Sequence, residues 1–536
     1  MGRLLLVSFL SVLPLLLHGQ IFPAEGSKLN YRVVGLSFLS KKGADNYVIQ
    51  IATGNCNSID SFNNNIVRTI DSKKNKTIVE VPSFGCNYTW RVTYNIGKKN
   101  FPEKTLHHFS TLPLPETGKQ RRLRVLQPVD KNHKDAYVFL DSYKELFDMN
   151  GEPVWFISDD TSGNAGKLTG GLIRDLKISP QGTITFLGEN QGGYEINYND
   201  DLLWKTPDDG KVSGEKTESF HHEFTRLSNG HYMILGQETG LWNHRLPSPD
   251  SSFEIIPLSA KVKRGANAQE TQVPLGTVIE YDQDGNVVWY WKSSDYFRHS
   301  DIYYHKEGIT VHENAFFFDE KNKAIYVSFR DISRIVKVKY PEGNVIDVYG
   351  ENFTKNSGRT TNELFYFQHS VRKSNKGYLY LYDNNTLIAG NFPKILKLEE
   401  PQTPGGDLKE IWEYDCTGEG VLPEEDHQLN KKSPDKNHIY DFQSGGNVIE
   451  LPDDCFFVNM SGKYDKVFIL NPNKEILWSA IPEEWDSKGW HITPQYRASI
   501  ISNKEMEALV WNTTDKNSDK DKTLAKSQSP ERPSTK

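Results

Sequence analysis

The sequence predicts an all-β protein, a six-bladed β-propeller preceded by a small β-sandwich domain. A closing phrase recurs about six times along the chain, in which a turn is followed by a strand that usually carries a tryptophan. Short apolar or alternating segments, which are typical of strands, precede each closing phrase. Helical periodicity is scarce between them. Four-stranded units repeated in this way favour a propeller closed around a central channel, whereas a β-helix would need shorter and more uniform repeats.

The first 19 residues are typical of a signal peptide. Met1-Gly-Arg3 supplies a positive start, Leu4–Leu17 is a short apolar run, and Gly19 is a small residue suited to cleavage. A transmembrane anchor needs a longer apolar span, so we expect a soluble exported protein, periplasmic or secreted, without stable membrane insertion.

Residues 27–111 predict a small β-sandwich of the fibronectin type III kind. Short β-branched or aromatic runs alternate there with Gly, Asn and Lys turns: Tyr47–Ile51, Thr77–Val81, Tyr88–Tyr94 and His107–Thr111. The Pro-containing segment 112–122 is interpreted as a linker.

Residues 123–500 contain the repeats of the predicted propeller. The closing phrases are Met149–Trp155, Tyr198–Trp204, Asp282–Trp289, Tyr340–Asp347, Gly406–Trp412 and Asn471–Trp478. Residues 512–536 are rich in Lys, Asp, Ser and Pro, which predicts a disordered charged tail.

Charge and cysteine content limit the possible partners. The net charge is −7, from 63 basic and 70 acidic side chains. The folded part has no long basic run, which makes nucleic acid an unfavourable partner. In an oxidising compartment, the expected disulfide pairing is local, Cys56 with Cys86 and Cys416 with Cys455.

Three histidines stand at the same place in three successive repeats. His222, His312 and His369 each precede an apolar or alternating segment, a turn and another strand-like run. Repeats arranged in a ring bring equivalent positions together, so we expect these imidazoles to converge. Arg330 follows the second strand of the middle repeat and is expected at the same channel mouth. Strand alternation puts His221 and His222 on opposite faces, and we assign His222 to the channel.

Two kinds of chemistry suit such a cluster. Three neutral imidazoles can bind zinc and activate water. An adjacent arginine would repel a cation, however, and imidazolium with guanidinium suits a tetrahedral oxyanion such as a sulfuryl or phosphoryl group. One imidazole would then be free to attack that group.

The repeat motifs resemble those of a known family. The motifs His222-Glu-Phe with Leu227–Gly230, His312-Glu-Asn-Ala315, Ser328-Phe-Arg330 and Gln368-His369 with Leu381–Asn384 are similar, in order and spacing, to signatures of bacterial arylsulfate sulfotransferases. This is the type that does not use the nucleotide donor PAPS. The likeness extends over most of the chain.

The resemblance implies a six-bladed propeller with its site in the central channel and a histidine that accepts the sulfuryl group covalently. His369 would be the nucleophile, and His312 the acid towards the departing phenol and the base towards the incoming one. His222 and Arg330 would hold the sulfuryl oxygens, with Asn314 as a nearby polar contact to substrate. Because His369 must be unprotonated while His312 carries a proton, we expect a bell-shaped pH profile.

The expected substrates are a phenolic sulfate ester donor and a phenol acceptor, used in a ping-pong sequence with no cofactor and no metal. The oligomeric state stays open, with a homodimer as one option. Two alternatives of other classes remain: a non-catalytic propeller that binds an anionic or glycan ligand, and a metal-dependent hydrolase or lyase that uses the three histidines as ligands.

Overall fold

The computed structural model describes residues 21–158, 171–188, 192–243, 252–257, 270–299, 303–305, 308–350, 364–385, 392–419, 445–461 and 465–513. The predicted signal peptide and residues 514–536 of the predicted tail lie outside this range. The described residues form two compact units, one ending at Pro113 and one spanning Leu114–Thr513.

The first unit consists of two sheets. Its strands are β1 (Ser27–Leu29), β2 (Val33–Ser37), β3 (Asn46–Thr53), β4 (Ile66–Ser72), β5 (Lys76–Glu80), β6 (Asn87–Ile96), β7 (Lys99–Pro102) and β8 (His107–Thr111). The larger sheet has the order β1-β8-β6-β3-β4, with β7 beside β6, and β2 pairs with β5. A short helix, Ile59–Asn64, begins after Ser58, whose side chain accepts a hydrogen bond from the Ser61 N–H.

The second unit contains six sheets of four or more strands, which we number 1 to 6. Strand β9 (Arg121–Gln127) comes first. Sheet 1 contains β10 (Tyr137–Leu140), β11 (Glu145–Asp148), β12 (Pro153–Phe156) and the last of the described strands, β37 (Ala498–Ile501). Sheet 2 contains β13 (Ile173–Ile178), β14 (Ile184–Gly188), β15 (Gly192–Ile196) and β16 (Leu202–Lys205). Sheet 3 contains β17 (Ser219–Arg226), β18 (Tyr232–Asn243), β19 (Glu254–Ile255), β20 (Glu270–Tyr281) and β21 (Val287–Lys292).

The next sheets follow the same plan. A two-stranded pair comes first, β22 (Tyr303–His305) and β23 (Gly308–Thr310). Sheet 4 contains β24 (Glu313–Asp319), β25 (Ala324–Phe329), β26 (Arg334–Lys339) and β27 (Val345–Gly350). Sheet 5 contains β28 (His369–Lys373), β29 (Leu379–Asp383), β30 (Lys394–Glu399) and β31 (Lys409–Asp415). Sheet 6 contains β32 (Asn447–Glu450), β33 (Phe456–Met460), β34 (Lys466–Leu470), β35 (Ile476–Asp486) and β36 (Gly489–Ile492), with β9 paired to β35.

Helices are short in the described residues of this unit. They are Glu116–Lys119 within the predicted linker, Ser293–Tyr296, a single 3-10 turn at Cys416–Gly418 and a terminal helix at 503–513. None of these is long and apolar enough to cross a membrane. Since strands predominate in both units, the prediction of an all-β fold is confirmed.

The innermost strands of the six sheets contact one another in cyclic order. Each strand contacts the next in the series β13, β17, β24, β28, β32 and β37, and β37 contacts β13 again. Sheet 1 is completed from both ends of the unit, because β37 pairs antiparallel with β10 in the register Tyr137↔Ile501 to Leu140↔Ala498. Residues near the start of each innermost strand are therefore brought to one region, although they are far apart in the sequence.

The tryptophans of the closing phrases connect successive sheets. Trp155 on β12 donates its indole N–H to the Tyr198 carbonyl, at the turn before β16, over 2.9 Å. The same contact joins Trp478 on β35 to the Met149 carbonyl at 2.9 Å, and so links sheet 6 to sheet 1. Trp289 and Trp412 reach the carbonyls of Pro341 and Pro472 in the same manner. The repeated phrase thus supplies both a turn acceptor and an indole donor.

The expected disulfides are not formed. Cys56, Cys86, Cys416 and Cys455 all carry free thiols, so the predicted pairs Cys56–Cys86 and Cys416–Cys455 are wrong for this structure. Cys416 packs among side chains of sheets 5 and 6, whereas Cys455 packs with side chains of sheets 1 and 6. Cys416 and Cys455 therefore belong to different hydrophobic clusters, and their proximity in the sequence could not show that their side chains are apart.

Candidate active site

β-Bulges interrupt the innermost strands where the predicted site residues lie. The strand register shifts between Phe220 and Phe224 on β17, and again between His369 and Arg372 on β28. His222 and His312 both have left-handed backbone conformations, with φ of 61° and 48°. Bulges of this kind bend a strand and redirect its side chains, and they are common beside active sites. Local backbone geometry therefore positions these histidines.

The first two predicted histidines lie side by side. The rings of His222 and His312 are 5.0 Å apart, centroid to centroid, and nearly perpendicular. The Tyr496 ring lies between His222, at 5.7 Å, and His369, at 6.2 Å. His222 and His312 keep partial solvent exposure while His369 is 1% exposed, so the cluster extends from an accessible surface into the interior.

His221 also belongs to the cluster, contrary to simple strand alternation. Its Nδ1 lies 2.8 Å from the Nδ1 of His222, and its Nε2 lies 3.2 Å from the Gly236 carbonyl oxygen. Because a carbonyl can only accept, the His221 Nε2 carries the proton and its Nδ1 accepts from the Nδ1–H of His222. Burial and, to a smaller extent, the neighbouring His312 lower the pKa of His221 to about 3, so its imidazole is neutral. His222 then has its lone pair on Nε2.

The orientation of His369 is fixed by an asparagine. Its Nδ1 lies 2.6 Å from the Asn384 Oδ1, and Asn384 Nδ2 donates to the Gly445 carbonyl at 3.1 Å. The second bond determines which way the amide faces, so His369 must carry its proton on Nδ1. The lone pair on its Nε2 accepts a hydrogen bond from the Gly445 N–H, over 3.3 Å between the two nitrogens. Burial and, to a smaller extent, the positive charge of Arg330 lower the pKa of His369 well below its usual value.

Arg330 gives the site a positive potential. Its Nη1 pairs with Asp331 at 2.6 Å, and its guanidinium lies 4.6 Å from the centroid of the Phe367 ring. Burial and then the guanidinium groups of Arg330 and Arg174 lower the pKa of His312 to about 3. The expectation of a protonated His312 is therefore not met in the free protein, where all the imidazoles of the cluster are neutral at pH 7.

Asn314 is fully buried and links β24, which follows His312, to the residue before β28, which begins at His369. Its Nδ2 donates to the Gln368 carbonyl over 2.7 Å, immediately before His369. Within the described residues, its Oδ1 accepts no hydrogen bond. Asn314 thus holds sheet 4 against sheet 5.

A buried ionic network lies next to the histidines. Arg497, 3% exposed, donates to Asp175 at 2.9 Å, to Glu223 at 2.6 Å and to the Asn314 carbonyl at 3.1 Å. Arg372 also pairs with Glu223, at 2.8 Å. Burial opposes ionisation of Glu223, but Arg372 and Arg497 hold its pKa well below the usual range. Arg497 thereby joins β17, which carries His222, and β24, which begins directly after His312, to its own neighbour Tyr496.

The network also borders a cavity of about 380 Å³. Its lining includes Lys177, Glu223, Arg372 and Arg497 together with Phe316–Phe318, but none of the three predicted histidines. Charged side chains thus separate this cavity from the histidine cluster.

The structure brings His222, His312, His369, Arg330 and Asn314 to one site. Sequence reasoning missed the contributions of Arg174, Tyr496 and Arg497. Arg174 lies 4.4 Å from the centroid of the Tyr496 ring. Tyr496 and Arg497 follow the last closing phrase, where no repeat marks them. Arg174 directly precedes Asp175, which lies near the start of the innermost strand of sheet 2, as the histidines do in sheets 3 to 5. This equivalent position in the repeat could have indicated that Arg174 lies at the site.

Comparison with known proteins identifies the family. The model of the family "Arylsulfotransferase (ASST)" matches residues 123–403. No curated protein matches the chain significantly. Solved structures matched by the chain include the periplasmic gluconolactonase PpgL of Pseudomonas aeruginosa, at 9% identity, covering 68% of this chain and 99% of that one, with a TM-score of 0.33.

Two further structures are comparably distant. Apo AztD from Citrobacter koseri is 9% identical, covers 85% of this chain and 98% of its own, and has a TM-score of 0.29. An auxiliary nutrient binding protein from Bacteroides ovatus is 8% identical, with coverage of 88% and 90% and a TM-score of 0.31. These values are too low to carry a functional argument. The family match covers more than half of the sequence, and the chain therefore belongs to the arylsulfotransferase (ASST) family.

Proposed function

We propose that the protein transfers a sulfuryl group from a phenolic sulfate ester to a phenol, in two steps through a covalent sulfohistidine at His369. Membership of the ASST family supports aryl sulfotransferase activity in general and small-molecule substrates. The observation that carries the mechanism is the orientation of His369, whose Nδ1 proton is held by Asn384 beside Arg330, His312 and His222. Its Nε2 lone pair accepts only a long hydrogen bond from the Gly445 N–H, at 3.3 Å, which has to break when Nε2 attacks.

We propose that sheets 1 to 6 are the blades of a propeller whose innermost strands line a channel. The cyclic contacts of those strands and the sharing of sheet 1 by both chain ends support this arrangement. The sheets ending at Pro113 would form the predicted sandwich. Export of the protein, to a periplasm or beyond the cell, is proposed from the predicted signal peptide alone.

In the first half-reaction, the Nε2 of His369 attacks the sulfur of the donor. A nitrogen–sulfur bond forms, and the bond from sulfur to the aryl oxygen breaks. Sulfuryl transfer, like phosphoryl transfer, passes through a loose transition state with charge on the departing oxygen, so positioned donors contribute most of the catalysis. Because His369 is neutral and its Nδ1 proton is already held by Asn384, it can attack without first losing a proton.

His312 is the proposed acid and base. It gives a proton to the departing phenolate, and in the second half-reaction it takes a proton from the incoming phenol as that oxygen attacks sulfur and the nitrogen–sulfur bond breaks. Since His312 is neutral in the free protein, this proton has to be taken up when the anionic donor binds. A bound sulfate ester offsets the charge of Arg330 and Arg174, which is part of what lowers the pKa of His312.

Arg330 and His222 are proposed to hold the sulfuryl oxygens. In the free protein, His222 Nε2 is an acceptor, so it also has to gain a proton to donate to a sulfuryl oxygen. Asn314, which is fully buried, is proposed to support the site from behind, through its hydrogen bond to the Gln368 carbonyl next to His369.

The electrostatics favour an oxyanion over a metal ion at this cluster. Arg330 and Arg174 both lower the pKa of His312, which means that the site opposes an additional positive charge. A divalent cation bound by the histidines would meet the same opposition. A sulfate ester, which carries one negative charge, would be attracted.

The test is mass analysis of the protein quenched during turnover of 4-nitrophenyl sulfate, with His369→Asn as the variant. We expect a sulfuryl adduct on the His369 peptide, faster nitrophenol release with added phenol, and full activity in EDTA. His231→Asn is the matched control, because His231 pairs with Glu280 on the same sheet, away from the cluster.

Several results would reject the mechanism. Nitrophenol release that persists in His369→Asn without an adduct would exclude His369 as nucleophile. Loss of activity in EDTA would favour the metal-dependent hydrolase. Tight binding of aryl sulfates with no release would favour a non-catalytic binding protein.

A further inference from the structure

A second cluster of potential ligands lies outside the histidine site, where sheet 6 meets sheet 1. His133 is in the segment between β9 and β10, and Asp453 and Cys455 are in the turn between β32 and β33. One ligand atom from each of these three side chains lies within 4.8 Å of the others. The three atoms are an imidazole nitrogen, a carboxylate oxygen and a thiol sulfur.

The contacts within this cluster resemble the arrangement around a bound transition metal. The His133 Nε2 lies 3.1 Å from the Asp453 Oδ2, and the His133 side chain is 10% exposed. On its other side, the His133 Nδ1 lies 2.6 Å from the Asp130 Oδ1. Metal-binding histidines usually donate their second ring nitrogen to a carboxylate in this way, which fixes the tautomer that leaves Nε2 free to coordinate.

We propose that His133, Asp453 and Cys455 form a binding site for a divalent metal ion of the zinc type, with Asp130 orienting His133. Nitrogen and oxygen ligands about 2.0 Å from zinc in a tetrahedral site are about 3.3 Å apart, close to the 3.1 Å between His133 Nε2 and Asp453 Oδ2. Cys455 would bind as thiolate and release its proton to solvent. A thiolate ligand selects zinc-like ions over calcium and magnesium, which prefer oxygen.

The position of the cluster suggests what the metal would do. Cys455 is 4% exposed and packs with Ala136 and Val138 in a hydrophobic cluster shared by sheets 1 and 6. A bound ion would clamp the segment that leads into β10 to the sheet on the other side of this junction. Because the ligands are distinct from the catalytic cluster, the metal would raise stability without taking part in sulfuryl transfer.

The experiment uses the full chain, freed of metal by chelator under reducing conditions and titrated with Co²⁺. We expect one equivalent to produce an intense near-ultraviolet thiolate-to-cobalt absorption and the visible bands of tetrahedral cobalt, both removed by Zn²⁺. Cys455→Ser should abolish the thiolate absorption, and His133→Gln should weaken binding at least 10-fold.

Two control variants locate the signal. Cys416→Ser, at a buried thiol in another hydrophobic cluster, should leave the cobalt spectrum unchanged, and so should His369→Asn at the catalytic cluster. No thiolate absorption in the wild type, or an absorption that persists in Cys455→Ser, would overturn the proposal. A metal-independent hydrogen-bond network of His133 and its two carboxylates would then account for the cluster.

Discussion

Removal of the Asn384 side chain tests the proposal that Asn384 orients His369 for attack on the donor. Asn384→Ala deletes the 2.6 Å contact to His369 Nδ1 and the 3.1 Å bond to the Gly445 carbonyl. A neutral hydrogen bond contributes about 0.5–1.5 kcal/mol net. The Phe367 carbonyl, 3.2 Å from Nδ1, remains as a weaker acceptor. We therefore expect the barrier to sulfuryl transfer onto the enzyme to rise by about 1–2 kcal/mol, which slows that step about 5- to 30-fold.

The assay is the pre-steady-state release of nitrophenol from 4-nitrophenyl sulfate. Asn197→Ala provides the control, because Asn197 is a buried asparagine in the turn before β16 with no histidine partner. If Asn384→Ala and Asn197→Ala released nitrophenol at the same rate as the wild type, Asn384 would have no role in orienting His369.

The substitution Asn384→Asp tests the same contact through the pH dependence of the reaction rate. A carboxylate next to Nδ1 favours the imidazolium and raises the pKa of His369, which in the wild type is held well below its usual value. Since the imidazolium has no lone pair on Nε2, the acid limb of the rate profile should move to higher pH. An unmoved acid limb would contradict the assignment of His369 as the attacking base.

Three further outcomes are expected. Arg497→Met should lower the free energy of unfolding by about 3–5 kcal/mol, measured by urea denaturation, because it leaves Glu223 and Asp175 with fewer buried partners; a loss below about 1 kcal/mol would show that Arg497 is dispensable. Donor binding to the His369→Asn protein should take up protons near pH 7, measured by calorimetry in buffers of different ionisation enthalpy, and no uptake would refute the proposed protonation of His222 and His312. Stability should be fully present above pH 6.5 and fall as the pH drops, because buried His369 stays neutral while the unfolded chain gains a proton there; this fall should be shallower in His369→Asn, and an equal slope would argue against the lowered pKa.

Much of the fold could be predicted because the repeating phrases have direct structural causes. The closing tryptophans lie on the fourth strand of a sheet counted from the inside, and their indole groups need acceptors that the turns of the next sheet provide. The helix at 503–513 also had a readable signal. Ser502 and Glu505 form a reciprocal capping box, in which each side chain accepts the backbone N–H of the other.

The candidate site was predictable only in part. His222, His312 and His369 share a position in the repeats, so their convergence followed from the sequence. Strand alternation failed at His221, because the bulge between Phe220 and Phe224 brings it into contact with His222. Nothing in the sequence indicated this extra bulge.

Tyr496 and Arg497 escaped prediction for a different reason. They lie just before β37, the strand that leaves the order of the sequence to pair with β10. The residues that such a strand brings to the site have no counterpart in the other repeats, so the periodicity of the sequence could not reveal them.

The pairing of β37 with β10 also bears on biosynthesis. Strand β10 emerges from the ribosome early, yet its partner is made only after the five intervening sheets. Contacts between such distant segments form slowly, and domains generally fold as units as the chain is synthesised. A nascent chain that stops before Tyr496 lacks both the strand that completes sheet 1 and the tyrosine beside His222 and His369. Sulfuryl transfer would therefore begin only in molecules whose synthesis has run past β37, so that activity itself reports that sheet 1 has been completed.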